Sequence, residues 1–235
     1  MKKTFSLILM LGLMLTAASP AFAAENANEK TLSFKNNTAI LLDASGSMAK
    51  RIDGVSKYNM AKEEIVRFAD QIKSKSQVRM TVFGSEGNNK NSGKVQSCES
   101  IRGVYGFQRF DRQSFLNSLN GIGPTGWTPI AKALEDAKAS FTGLHKLGSK
   151  SVFLLTDGEE TCGGDPVKTA KELRKQHIKV NVIGFDFKEG FNGQLHEIAK
   201  AGGGKYYEAH SQKDMNRIFT NKKRCRLSAL FFIFI

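Results

Sequence analysis

Proline, tryptophan, histidine and cysteine are scarce in this chain of 235 residues, which has 4, 1, 4 and 3 of them. So few prolines, with 22 glycines that keep no three-residue period, exclude a collagen-like rod. A 40% share of hydrophobic residues excludes a disordered tail and leaves a chain able to build a core. No apolar run reaches the roughly 20 residues that cross a bilayer; Phe5 to Leu15 and Leu230 to Ile235 both stop short. The four histidines, His145, His177, His196 and His210, sit on separate segments without metal-ligand spacing. No Walker-type loop and no Gly-x-Ser-x-Gly element is present, which removes the usual phosphate cradle and the serine-hydrolase elbow. No internal repeat is visible. The length suits one sizeable α/β domain and leaves little room for a second.

Charge is unevenly placed. The formal net charge is +13. Lys2 and Lys3 lie at the start, and Lys222, Lys223, Arg224 and Arg226 crowd the end, so the body between carries about +7, a modest bias. Residues 1–23 combine the lysine pair, the apolar run and the small-x-small element Ala21-Phe22-Ala23, the layout of a signal peptide cleaved after Ala23. No cysteine follows that would carry a lipid. The mature chain is therefore expected to be secreted, extracellular or associated with the cell wall, with no transmembrane anchor. Residues 24–36 read as a short polar arm, residues 37–221 as the domain, and residues 222–235 as a basic and apolar tail with no assigned role.

Thr38 to Leu42, Val78 to Phe83, Ser151 to Leu155 and Val180 to Ile183 have the apolar content of parallel strands covered on both faces. Lys205 to Glu208 adds a further strand. Helical periods run between them: Ala61, Ile65, Phe68 and Ile72 share a face, as do Ile130, Leu134, Ala137 and Phe141. Asp111 is placed to cap a short helix over Phe115 and Leu119, and Asp165-Pro166 opens another with a cap followed by proline. Helices over Gln194 to Ala201 and Lys213 to Thr220 complete the series. The alternation predicts an α/β fold with a doubly wound, mostly parallel sheet and helices on both faces. Ile101 to Tyr105 is a weak strand, separated from Val78 to Phe83 by the Ser85 to Gly93 loop with no helix expected between. It should pair antiparallel at the sheet edge.

Doubly wound sheets bind ligands beyond the carboxyl ends of their strands, and three segments fall there. Asp43-Ala44-Ser45-Gly46-Ser47-Met48 follows the first strand, with two hydroxyls on a glycine-containing turn beside a carboxylate. Gly126-Trp127-Thr128-Pro129 opens the Ile130 helix and puts the Thr128 hydroxyl at its start, with Thr125 as the competing choice. Thr156-Asp157-Gly158 ends the Ser151 strand. Only hydroxyl and carboxylate oxygens are offered, a donor set for a hard cation such as Mg2+, with Mn2+ or Ca2+ as alternatives, rather than zinc.

Asp43-x-Ser45-x-Ser47, then Thr128, then Asp157, in this order and at strand ends, resembles the von Willebrand factor A domain family and its metal-ion-dependent adhesion site. The likeness extends over about Thr38 to Thr220, and the run from Thr156 through Glu159, Glu160, Cys162 and Asp165 to Pro166 is similar to bacterial secreted members. The resemblance implies a Rossmann-like fold and metal ligation by Asp43, Ser45, Ser47, Thr128 and Asp157, the carboxylates acting directly or through water. It also implies one coordination position left for an acidic group of a protein partner. All five positions keep the family's pattern, and its Gly-x-Thr element favours Thr128 over Thr125.

An enzyme reading finds less support. Asp43 after an apolar strand is similar to the nucleophile of haloacid-dehalogenase-like phosphatases, but Ser45 stands two residues on and Asp186 is the single later strand-end acid. The magnesium cluster would be undersupplied. No acid, base and nucleophile set assembles, so the chain is expected to be non-catalytic. The runner-up is a wall-associated module that binds anionic cell-surface polymers by charge. The lysines scatter over helices without interleaved aromatics, so solvated faces explain most of the basic excess, and nucleic acid is not expected as a partner of an exported domain. Trp127 and Glu159 are candidates for a ligand rim. In an oxidising compartment Cys98, after the edge loop, and Cys162, after Asp157, can pair if their loops crowd one rim, or stay free thiols; Cys225 would then be unpaired.

Overall fold

The computed structural model describes residues 36–144, 148–186 and 193–220. The leader, nearly all of the arm, His145 and the tail with Cys225 lie outside the described residues. In chain order come β1 (Asn36–Asp43), β2 (Arg51–Ile52), β3 (Val55–Ser56), α1 (Lys57–Ile72), β4 (Ser76–Phe83), α2 (Lys94–Glu99) and β5 (Ile101–Arg109). Next are α3 (Arg112–Ser118), α4 (Ile130–Ser140), β6 (Ser149–Thr156), α5 (Pro166–Lys175), β7 (Ile178–Phe185), α6 (Gly193–Ala201), β8 (Gly203–Ala209) and α7 (Gln212–Thr220).

The apolar runs become strands because both of their faces are covered. On β1, Ile40 and Leu42 join a core with Ile65 and Phe68 of α1, Phe115 of α3 and Met215 of α7. Their neighbours Ala39 and Leu41 join a second core with Leu134 of α4, Leu173 of α5 and Ile198 of α6. Alternate side chains thus feed opposite faces, and a strand buried on both reads as continuously apolar. The main sheet has the order β5-β4-β1-β6-β7-β8. Its neighbours run parallel except for β5, which pairs antiparallel with β4. The fold is therefore α/β and doubly wound, with one antiparallel edge strand. From β1 the chain moves to β4 on one side and later to β6 on the other, so the crevice of the switch point opens between the carboxyl ends of β1 and β6.

Helix starts follow local chemistry. Asp111 accepts from the Ser114 N–H at 2.8 Å, and Asp165, just before Pro166, accepts from the Lys168 N–H at 2.9 Å. Each side chain satisfies an amide that the helix leaves open.

Several elements depart from the sequence expectation. A helix, α2, stands between β4 and β5 where only a loop was expected; it buries Ser97 alone, so no apolar period announces it. The β4–β5 pair is antiparallel all the same, since so short an insertion returns the chain along the same edge. β5 runs to Arg109, past the expected end at Tyr105, and its register against β4 shifts twice between Val78 and Thr81. A small hairpin of β2 and β3 was also not anticipated. It turns on Asp53 and Gly54, at φ 50° and 82°, the positive pair that a tight hairpin needs. β1 begins at Asn36, a residue assigned to the arm.

Candidate metal centre

β1 ends at Asp43 and its neighbour β6 at Thr156, so their terminal side chains meet. The Asp43 carboxylate is buried; its Oδ1 accepts the Ser45 N–H and its Oδ2 the Thr156 hydroxyl, each at 2.6 Å. The chain then turns into a short 3-10 helix, Gly46–Ala49, which carries Ser47 back beside Ser45 with their Oγ atoms 3.1 Å apart. The Ser47 hydroxyl donates to Asp157 Oδ1 at 2.6 Å. Thr128 is buried, and its Oγ1 lies over Gly158, 3.7 Å from where a Cβ would stand on that glycine. Thr125 is exposed. Asp43, Ser45, Ser47 and Asp157 are thus brought into one cluster, and Thr128 faces its Gly158 side.

Two lysines enter the same region. Lys57 Nζ donates to Asp157 Oδ2 at 2.8 Å and sits 3.1 Å from Asp186 Oδ2 at the end of β7. Lys50 Nζ reaches the same Asp186 oxygen at 2.9 Å. Burial, and then the Asp157 charge, push the Asp43 carboxyl up to about 7 against the hydrogen bonds from Thr156 and Ser45. Burial works upward on Asp186 too, but the hydrogen bonds of Lys50 and Lys57 outweigh it and hold that carboxyl below its ordinary value.

The Thr128 segment is gripped from two sides. From α2, Ser97 Oγ accepts the Trp127 N–H at 2.5 Å. From the loop after β6, Thr161 Oγ1 accepts the Thr128 N–H at 2.8 Å, and Glu160 accepts from Ala131 at the start of α4 and from Cys162, at 2.8 and 2.7 Å. A disulfide between Cys98 and Cys162, Cα atoms 5.6 Å apart, ties the two sides together. Gly126 is required here: a Cβ on it would stand 2.0 Å from Ser97 Oγ and 2.6 Å from the Glu86 carbonyl oxygen. Trp127 is half-buried, its Nε1 donating to the Lys90 carbonyl at 3.2 Å and Lys94 Nζ lying 4.1 Å from its ring centroid. Glu159 is half-buried at the same loop. His177, His196 and His210 are exposed.

Sequence reasoning missed Lys57, Ser97, Glu160 and Thr161. Lys57 left a faint sign: it holds the first position of α1, which has no acid in its first turn, where a cation opposes the helix dipole. The others act through single side-chain to backbone bonds, which leave no periodic trace.

The donor set can be tested against a divalent ion. Among the described residues no three His, Cys, Asp or Glu side chains gather into a metal cluster, so any ion must draw on hydroxyls. Adjacent oxygens around an octahedral Mg2+ stand about 2.9 Å apart, close to the 3.1 Å between the Ser45 and Ser47 Oγ atoms. With two carboxylates in the same cluster, the residues fit a hard cation.

Comparison with known proteins agrees with the fold. YwmC, an uncharacterized protein of Bacillus subtilis (strain 168), is 67% identical over 222 residues, covering 94% of this chain and 97% of its own. The structure of BatB from Bacteroides thetaiotaomicron is 25% identical, with a TM-score of 0.63, and the match covers 81% of this chain and 98% of that one. Proximal thread matrix protein 1 from the mussel byssus, solved with a zinc-occupied MIDAS motif, matches with a TM-score of 0.62 at 19% identity, over 83% of this chain and 46% of that one. Residues 37–221 match the von Willebrand factor type A domain, and the chain belongs to that family.

Proposed function

We propose that this domain is a non-catalytic binding module in which Asp43, Ser45, Ser47, Thr128 and Asp157 hold one divalent cation, Mg2+ by preference. The remaining coordination position takes a carboxylate from a protein partner. The observation that carries this reading is the convergence of Ser45 Oγ, Ser47 Oγ and the Asp157 carboxylate within hydrogen-bond distance at the switch point. When bound, the cation supplies a positive anchor for an anionic group. Asp43 contributes charge from beneath, fixed by Ser45 and Thr156. Ser47 orients Asp157, and the grip on Trp127 and Thr128 sets the third hydroxyl. Trp127 and Glu159 form the rim that the partner meets.

Support for a non-catalytic role comes from the engagement of both Asp43 oxygens, which leaves that carboxylate poorly presented as a nucleophile. Residues 1–23 support export, and the Cys98–Cys162 disulfide suits an oxidising compartment. Since the mussel protein carries zinc at its motif, the choice of ion is a matter for titration.

Calorimetry with Mg2+, Mn2+, Ca2+ and Zn2+ tests the reading. One saturable site that disappears in folded Asp43→Ala is expected. Binding of none of the four by the parent domain would overturn it. Attachment to cell-surface material that survives chelator and falls steeply with salt would instead support capture of anionic polymers by charge.

A further inference from the structure

Two lysines reach Asp157 and Asp186, the acids just beyond β6 and β7, and the two lysines are not equivalent. The Lys50 side chain is 65% exposed, so water screens it; the Lys57 side chain is 5% exposed, and that of its partner Asp157 1%. An ammonium so enclosed acts on its neighbours with little screening. It is also held in an unfavourable place, at the first position of α1, where the helix dipole adds to its positive potential. Both oxygens of Asp157 are engaged, Oδ1 by the Ser47 hydroxyl and Oδ2 by Lys57. A carboxylate paired with a buried ammonium has less charge left to give to another cation.

We propose that Lys57 is a positioning residue that occupies Asp157 as an internal counter-ion, weakening the hold of the site on its divalent cation and leaving that cation's charge for the partner's carboxylate. The inference rests on the adhesion-site reading above. Asp186 belongs to the same device: its 3.1 Å approach to Lys57 shares the ammonium between two acids and moderates its grip on Asp157.

The test is a change of sign. A purely structural lysine, once removed, should leave cation affinity unchanged or lower. An internal counter-ion, once removed, should raise it. Lys57→Met keeps the length and apolar stem of the side chain, and by calorimetry should bind Mn2+ about tenfold more tightly than the parent, a low figure for removing a poorly screened unit charge beside a divalent ion. Lys57→Arg should return affinity to near the parent value. In Mn2+-loaded protein, acetate binding should be several-fold weaker in Lys57→Met. Without metal this variant should melt below the parent, because Asp157 has lost its buried partner, and excess Mn2+ should restore it. Asp186→Asn leaves Lys57 to Asp157 alone and should weaken Mn2+ binding several-fold, which carries the test should Lys57→Met fail to fold. Equal or weaker Mn2+ binding by folded Lys57→Met, or unchanged binding by Asp186→Asn, overturns the role of Lys57 while the adhesion-site reading stands. Absence of Mn2+ binding from the parent and all variants overturns both.

Discussion

Asp43 and Glu64 are both buried acids whose carboxyls burial drives upward, Asp43 to about 7 and Glu64 above its ordinary value. Glu64 also has the conventional marks of a binding site: it lines a cavity of about 600 Å³ with Arg67, Gln212, Lys213, Asn216 and Arg217. Yet its partners are of another kind. Gln212 of α7 donates to Glu64 at 2.6 Å and Arg67 lies 3.8 Å away, an arrangement that joins α1 to α7 and offsets part of the cost of burying the charge. Around Asp43 the neighbours are hydroxyls, which carry no charge of their own, and a second carboxylate. Burial alone shifts a titration; oxygens that converge on two carboxylates, of which Lys57 pairs with Asp157 alone, leave charge for a cation.

The largest effect expected from this contrast is in Asp43→Ala, which should lose at least about a thousandfold in Mn2+ affinity, roughly 4 kcal/mol, with its circular dichroism unchanged. An equal loss in Glu64→Gln would break the contrast. Next comes reduction of the Cys98–Cys162 bridge, whose cysteines lie 64 residues apart. Opening it should cost about 3 kcal/mol of stability and lower the melting temperature by about 10 °C, measured by calorimetry with and without dithiothreitol. Mn2+ affinity should fall as well, because the bridge braces only the Asp43 end of this comparison. Ser47→Ala removes one hydroxyl and the orienting bond to Asp157, and a tenfold weakening, about 1.4 kcal/mol, should appear in the same Mn2+ titration.

The smallest effect is in Glu64→Gln, which should leave Mn2+ binding untouched and change stability by less than about 1 kcal/mol. Its sign depends on pH. Because the folded carboxyl titrates above its unfolded value, its favourable contribution is complete below the unfolded pKa and is lost as pH rises through the folded one. Glutamine does not titrate, so urea denaturation should find the variant gaining on the parent across that rise and level with it on the acid side.

What the sequence discloses and what it hides divide along similar lines. Ala39 to Leu42 is legible as a strand because both faces are buried and no polar residue interrupts it. Asp111 and Asp165 are legible because a cap acts within three residues. The Asp43, Ser45, Ser47 cluster is legible because its spacing is local. Lys57 is not, since its contact with Asp157 spans 100 positions and needs the β2–β3 hairpin to bring α1 back to the sheet end. Nor is α2, which is held by a disulfide and by Ser97 rather than by an apolar face. Glu160 bonds to Ala131 across 29 positions, and no pattern in its own segment announces it.

The grip on residues 125–129 closes around the chain's single tryptophan. Trp127 is fixed by its own N–H on Ser97, by its indole on Lys90 and by Lys94 over its ring, one position before the Thr128 hydroxyl. The domain therefore contains an intrinsic fluorophore one residue from the proposed Thr128 ligand, with no second indole to blur the signal. Emission wavelength and acrylamide quenching should follow the loosening or tightening of that segment in unlabelled protein, so cation entry, partner arrival and bridge reduction can all be watched in one cuvette.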